Sequence, residues 1–155
     1  MVNTEDTILM LGKKIEPSST SHIQHLTQQW LELRQVVLVH YNELCATKDP
    51  EPNMLQKFCQ HLMDYISMGH FKMYEKFAEH HETNQTYSTG LDKTLLSNIT
   101  INTETVLDFN DKYTDPKSLD ALSKDLSRIG EILAHRMDWE DTLITGAAPR
   151  YSKGH

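Results

Sequence analysis

Apolar residues recur every three or four positions over most of the chain, and polar breaks divide this pattern into four stretches. Such spacing places the apolar side chains on one face of an α-helix. The pattern therefore predicts four helices, over Ser21–Cys45, Asn53–His81, Leu91–Tyr113 and Lys117–Ile144.

The breaks between these stretches are short. "KDPEP" (Lys48–Pro52) ends the first helix, and "ETNQTYSTG" (Glu82–Gly90) connects the second to the third. Asp115 is the expected N-cap of the fourth helix and Pro116 its first residue. Because short connections favour antiparallel neighbours, we expect an all-α fold, an antiparallel up-down four-helix bundle with a short N-terminal extension.

The predicted helices divide the chain into three parts. Residues 1–20 form the N-terminal extension, in which "EPSSTS" (Glu16–Ser21) reads as a linker. Residues 21–145 form the bundle domain, and residues 146–155 form a C-terminal tail.

The net charge and the two cysteines indicate which partners and which compartment suit this protein. The formal net charge of −7 argues against binding to nucleic acid or to an anionic membrane, because phosphate groups would be repelled, and it suits a basic partner. No apolar run approaches the roughly 18 residues that a membrane span needs. Cys45 and Cys59 both fall in apolar helical patterns and are expected to be reduced core thiols. We therefore expect a cytoplasmic protein.

The second predicted helix has an unusual outer face. Steps of about 100° per residue gather its core positions into one arc. That arc contains Leu55, Cys59, Leu62, Met63, Ile66, His70, Met73 and Phe77. Asp64, Met68, Phe71 and Glu75 fall on the opposite side. Two large apolar residues flanked by carboxylates form a candidate binding patch, unless another segment such as the N-terminal extension covers them.

The fourth predicted helix carries charges on its apolar stripe. Arg136 and Glu140 share this stripe with Leu133 and are spaced i, i+4, so they can pair along the helix. Since a buried charge is costly unless paired, these residues and the inward-pointing His70 suggest a structural polar layer inside the bundle. The alternative is an open end of the bundle where the same groups meet water.

The inward polar layer is a poor candidate for a metal or catalytic site. Metal-binding bundles repeat His and Glu one turn apart, but one turn after His70 stands Tyr74, and Arg136 is a cation beside Glu140. The sequence also has no glycine-rich phosphate loop and no nucleophile elbow. We expect no metal, no cofactor and no enzymatic activity.

Four stretches of the chain, which fall in order on the four predicted helices, carry the motifs of a known family. They are "WLELRQ" (Trp30–Gln35), "LQKFCQHLMDYISMGHFKMYE" (Leu55–Glu75), "VLDFND" (Val106–Asp111) and "IGEILAHRMDWEDTLI" (Ile129–Ile144). Together they resemble the Rsd/AlgQ family of anti-sigma regulators. The residues before Trp30 and after Ile144 match this family poorly.

The resemblance implies an all-helical bundle that binds the primary sigma factor of bacterial RNA polymerase. The expected target is the C-terminal, promoter-reading helix-turn-helix domain, whose capture would reduce use of that sigma factor. The family gives functional weight to the Asp of the Asp-Tyr-x-Ser motif, which is Asp64 here. We therefore expect Asp64, Phe71, Met68 and Glu75 to contact the partner.

Two other functions remain open from the residues alone. The bundle could be a small-ligand sensor, or a metal-binding bundle, that uses the inward polar layer around His70, Arg136 and Glu140. We expect no direct contact with nucleic acid or membrane, and either a monomer or a weak homodimer.

Overall fold

The computed structural model describes residues 16–84 and 89–145, and in these ranges the chain is all-helical, with no strand. Four helical stretches are present, and the second is interrupted by one turn of π-helix. The elements are α1 (Glu16–Ala46), α2 (Pro52–Met68), the π segment (Gly69–Met73), α3 (Tyr74–Asn84), α4 (Thr89–Thr114) and α5 (Leu122–Thr145). The predicted helical class and the four stretches are confirmed.

The first boundary differs from the sequence prediction. "EPSSTS" was expected to be a linker, but α1 already begins at Glu16. Pro17 is compatible with this start, because a residue in the first helical turn needs no N–H for an intrahelical hydrogen bond. Residues 1–15 and the predicted tail, residues 146–155, lie outside the described residues, as do residues 85–88 of the predicted connection.

The start of the last helix also differs. Asp115 and Pro116 do not open it, because α5 begins at Leu122. Leu119 instead packs against the core, and its carbonyl accepts the N–H of Leu122 at 3.1 Å. The Ser118 hydroxyl accepts the N–H of Asp120 at 3.1 Å. This local side-chain bond competes with helix formation, so residues 115–121 form a turn.

The helices pack in pairs around one apolar core. α1 packs on α2, α4 packs on α5, and α2 and α4 join the two pairs. α1 and α3 also contact α5. The side chains at the centre have no exposed surface: Trp30, Val37, Leu55, Phe58, Leu62, Tyr65, Met73, Val106, Tyr113 and Leu143. No helix in the described ranges is long and apolar enough to cross a membrane.

The two cysteines lie in different environments. Cys59 is buried as expected, and burial raises the pKa of its thiol to about 11. The expectation of a core thiol is wrong for Cys45, which is exposed near the end of α1. The helical pattern placed Cys45 beside Leu44, but only Leu44 faces the core there.

This difference predicts unequal thiol reactivity. Cys45 should react rapidly with a thiol reagent such as DTNB at pH 8, whereas Cys59 should react only after unfolding, because the thiolate is the nucleophile and Cys59 is both buried and protonated. Absorbance at 412 nm should show one fast thiol in native protein and two in urea. Cys45→Ser should remove the fast phase. A fast phase that survives in Cys45→Ser would contradict the buried position of Cys59.

Candidate functional site

The inward polar groups converge on the carboxylate of Glu140, which has no exposed surface. Oε1 accepts hydrogen bonds from the Tyr65 hydroxyl and, at 3.2 Å, from Arg34 Nη2. Oε2 accepts one from the Tyr74 hydroxyl at 2.7 Å. Arg136 Nε lies 3.3 Å from Oε2, so the two charges pair, although this N–H is not aligned for a hydrogen bond. The Arg136–Glu140 pairing expected from i, i+4 spacing is therefore observed.

Arg136 extends this network to the other helices. Its guanidinium has no exposed surface, and Nη1 donates to Asn102 Oδ1 at 3.1 Å and to Thr103 Oγ1 at 2.8 Å. Nη2 donates to the Tyr74 hydroxyl at 2.8 Å. Asn102 in turn donates from Nδ2 to the Ile132 carbonyl at 2.8 Å. We call Arg34, Tyr65, Tyr74, Asn102, Thr103, Arg136 and Glu140 the buried network.

The buried network holds its two tyrosines in the neutral form. Burial raises the pKa of Tyr65 and Tyr74, and the nearby Glu140 carboxylate raises both further. Burial alone would lower the pKa of Arg136, but Tyr74 and Glu140 more than offset this effect, and its pKa is raised. The two tyrosines therefore act as hydrogen-bond donors to Glu140 throughout the physiological pH range.

The π segment brings both tyrosines to the same carboxylate. Tyr65 and Tyr74 are nine residues apart, which in an uninterrupted α-helix places them about 180° apart. A π turn accommodates one additional residue. The angle between Tyr65 and Tyr74 about the helix axis therefore falls to about 80°. The N–H of Tyr74 donates to the Gly69 carbonyl, the i to i−5 bond that closes the π turn. The π segment is thus what lets one helical stretch supply two donors to Glu140.

His70 does not belong to the polar layer, so that prediction is wrong. Its side chain is exposed, and its ring contacts Phe71 instead. The prediction assumed regular 100° steps through position 70, but the π segment begins at Gly69. Gly69 takes the buried position, and three consecutive residues, His70, Phe71 and Lys72, are exposed.

Gly69 is required where the π segment meets its neighbours. A Cβ at this position would lie 2.8 Å from the Tyr74 hydroxyl oxygen and 3.2 Å from Trp30 Cζ2. Trp30 packs edge-on against Tyr74, with ring centres 5.7 Å apart, and stacks on Tyr65 at 6.1 Å. The absence of a side chain at position 69 therefore allows Trp30 and Tyr74 to approach the helix backbone closely.

The outer face of the same helical stretch carries an exposed aromatic residue and two exposed carboxylates. Phe71 is 78% exposed, and Asp64 and Glu75 are exposed. Gln60 Nε2 donates to Asp64 Oδ1 at 3.1 Å, which orients this carboxylate. Met68 differs from its companions, because it is half-buried and packs against the core. The stretch therefore exposes one large apolar side chain and, before and after it in sequence, two carboxylates, and we call Asp64, Phe71 and Glu75 the outer patch.

Sequence reasoning missed several members of the buried network. Tyr65, Tyr74, Arg34 and Thr103 were not singled out. The sequence did contain an indication for Arg34, because it follows the apolar position Trp30 by one helical turn and so shares its face. In the structure this face meets α5, where Arg34 pairs with Glu140. The described residues contain no group of three or more His, Cys, Asp or Glu side chains that could hold a metal ion.

Removal of the Glu140 carboxylate should cost stability. Glu140→Ala leaves Arg136 buried without its counter-ion, and breaking such a pair typically costs about 3–5 kcal/mol of unfolding free energy. The matched control is Asp138→Ala on the same helix, an exposed position where the change should stay within about 0.5 kcal/mol. Urea denaturation followed by circular dichroism measures both. Equal stability of Glu140→Ala and wild type would contradict the role of this carboxylate.

Gly69→Ala should destabilise the protein by about 1–3 kcal/mol, because the added methyl group overlaps Tyr74 and Trp30. Removal of the Tyr74 hydroxyl gives the methyl group room, so the same substitution should cost less in a Tyr74→Phe background. Urea denaturation of the four proteins in this double-mutant cycle gives the difference. The same cost in both backgrounds would show that the contact with Tyr74 does not require Gly69.

Comparisons with known proteins agree on one family. Residues 13–147 match the family model described as "Regulator of RNA polymerase sigma(70) subunit, Rsd/AlgQ". A protein named "Regulator of sigma D" from Yersinia enterocolitica is 33% identical over 134 residues, which cover 79% of this chain and 80% of that protein. A protein of the same name from Pectobacterium carotovorum is 35% identical and covers 77% of this chain and 85% of its own length. No solved structure matches this chain.

The matched residues span all the helices described above, and the sequence resemblance to this family is confirmed. This chain belongs to the Rsd/AlgQ family, the regulators of the RNA polymerase sigma(70) subunit.

Proposed function

We propose that this protein binds the primary sigma factor of RNA polymerase through the outer patch and thereby reduces use of that sigma factor. The observation that carries the proposal is the exposure of Phe71 between Asp64 and Glu75, in a chain that belongs to a family of sigma(70) regulators. The relatives' name, "Regulator of sigma D", agrees with this function.

The proposed target is the C-terminal, promoter-reading domain of the sigma factor. A helix-turn-helix domain that holds DNA phosphates is basic, and a chain with a net charge of −7 attracts it over long range. Occupation of its basic surface would hide the groups that contact DNA. The protein would then act by binding, without catalysis, in the cytoplasm where RNA polymerase operates.

The outer patch has the chemistry of a small protein-binding centre. Phe71 offers an exposed aromatic side chain of the kind that fills a pocket on a partner, and such anchors dominate binding energy. Asp64 and Glu75 offer charge that a basic partner complements, and Gln60 already holds Asp64 in place. Met68 was expected to be a second anchor. Because Met68 is half-buried, we assign it the role of supporting the patch from below.

The bundle domain, residues 21–145, supplies a rigid base for this patch. We propose that its four helical stretches run up and down in an antiparallel bundle. The connections at residues 47–51 and 115–121 are five and seven residues long, and such short connections favour antiparallel neighbours. The packing of α1 on α2, and of α4 on α5, is the pairing that such an order requires. The proposed complex contains one copy of each protein, formed from a monomer or a weak homodimer.

Binding should be tested by calorimetric titration against the purified promoter-reading domain of the organism's own primary sigma factor. Phe71→Ala should weaken the complex about 30-fold or more, as loss of a central anchor does. Asp64→Ala should weaken it about tenfold, and less so at high salt, because salt screens exposed charges. Both variants should keep wild-type stability within about 0.5 kcal/mol, since neither side chain is in the core.

Matched controls are available on α4. Ile101 is 64% exposed and Asp111 is exposed, so Ile101→Ala and Asp111→Ala remove the same kinds of group from another face. These variants should bind like wild type. Absence of a saturable complex with a folded sigma domain would refute the proposed partner, and equal loss in the α4 variants would refute the outer patch as the binding surface.

A further inference from the structure

Two histidines meet across the seam between α1 and α2, away from the buried network. The ring centres of His40 on α1 and His61 on α2 lie 4.4 Å apart, and the ring planes are inclined by 41°. Both side chains are half-buried. The contact is therefore within reach of solvent, and it joins two helices that are adjacent in sequence.

One hydrogen bond fixes the chemistry of His40. Its Nδ1 lies 2.9 Å from the carbonyl oxygen of Val36, one turn earlier on α1. A carbonyl oxygen only accepts, so Nδ1 carries the proton of the neutral ring, and Nε2 keeps a free lone pair. Histidines that bind metal ions typically use this arrangement, in which the second ring nitrogen donates to a backbone carbonyl and orients the ring.

The distance between the rings also fits a shared metal ion. A metal–nitrogen distance of about 2.0–2.1 Å places each ring centre about 3.2 Å from the metal. A tetrahedral N–metal–N angle then separates the ring centres by about 5.2 Å, and a 90° angle, as in octahedral coordination, separates them by about 4.5 Å. The observed 4.4 Å agrees with the second value.

We propose that His40 and His61 form a binding site for a late first-row divalent cation, with Zn²⁺ and Ni²⁺ as its test ions. Imidazole nitrogens suit these ions, and water supplies the remaining ligands. This two-histidine site is separate from the inward polar layer, and it does not depend on binding to a sigma factor. Because the ion joins α1 to α2 in the folded state alone, its binding stabilises the protein.

The two-histidine site lies close enough to the outer patch to affect partner binding. His61 lies one turn before Asp64 on α2, so a bound dication places positive charge close to the outer patch. A basic partner would meet that charge, and the metal would weaken the proposed sigma complex. This consequence rests on the proposed function, whereas metal binding itself does not.

The proposal is tested by calorimetric titration of the purified, EDTA-treated full chain with ZnCl₂ and with NiCl₂ at pH 7.5. Wild type should bind one ion and show a higher melting temperature in its presence. His40→Gln and His61→Gln should each weaken this binding at least tenfold and remove the thermal shift.

The matched control is His135→Gln, since His135 is an exposed histidine that contacts a different aromatic ring, Trp139 on α5. This variant should bind like wild type. If a seam variant does not fold, long-range ¹H–¹⁵N spectra of the wild-type imidazoles give the answer, because Zn²⁺ should shift His40 Nε2. Absence of saturable binding, binding unaffected by both seam variants, or an unchanged His40 Nε2 resonance would overturn the proposal.

Discussion

The carboxylate of Glu140 is the group on which the arrangement of the helices depends. A charge without access to water is costly unless donors surround it, and the partners of Glu140 come from four different helices. Arg34 comes from α1, Tyr65 from α2, Tyr74 from α3 and Arg136 from α5 itself. Arg136 adds α4 through Asn102 and Thr103. A shift of any helix along its axis would leave one of these groups unpaired, so the buried network fixes the register of the helices.

This requirement explains why the second helical stretch is not a regular α-helix. Tyr65 and Tyr74 can donate to one carboxylate because the π segment changes the direction of the residues that follow it. The same turn leaves three consecutive side chains exposed, with Phe71 at the centre. The inner face of this stretch therefore stabilises the fold, while its outer face is free to serve a partner. Substitutions on the two faces should separate stability from binding.

Much of this architecture could be predicted from periodicity, because four long amphipathic patterns and a proline-containing break indicate four helical stretches. The i, i+4 spacing of Arg136 and Glu140 on an apolar stripe also predicted a buried ion pair. His70 was misplaced because periodicity assumes a constant rotation per residue, and a π turn leaves no local signal except the glycine at position 69. The start of α5 was misplaced because Leu119 packs against the core and the Ser118 side chain bonds to the local backbone, and periodicity predicts neither contact. Partners of a buried group, such as Arg34 and Tyr74, lie far apart in sequence and meet only after folding.

The central claim is that the outer patch is the surface that meets the sigma factor. The most direct measurement is a map of amide chemical-shift changes in ¹⁵N-labelled protein on addition of its promoter-reading domain. The largest changes should lie between Gln60 and Glu75, centred on Phe71, while the outer face of α4 around Ile101 should remain unchanged. Changes confined to α4, or to residues 115–121, would contradict the claim and assign the partner to another surface.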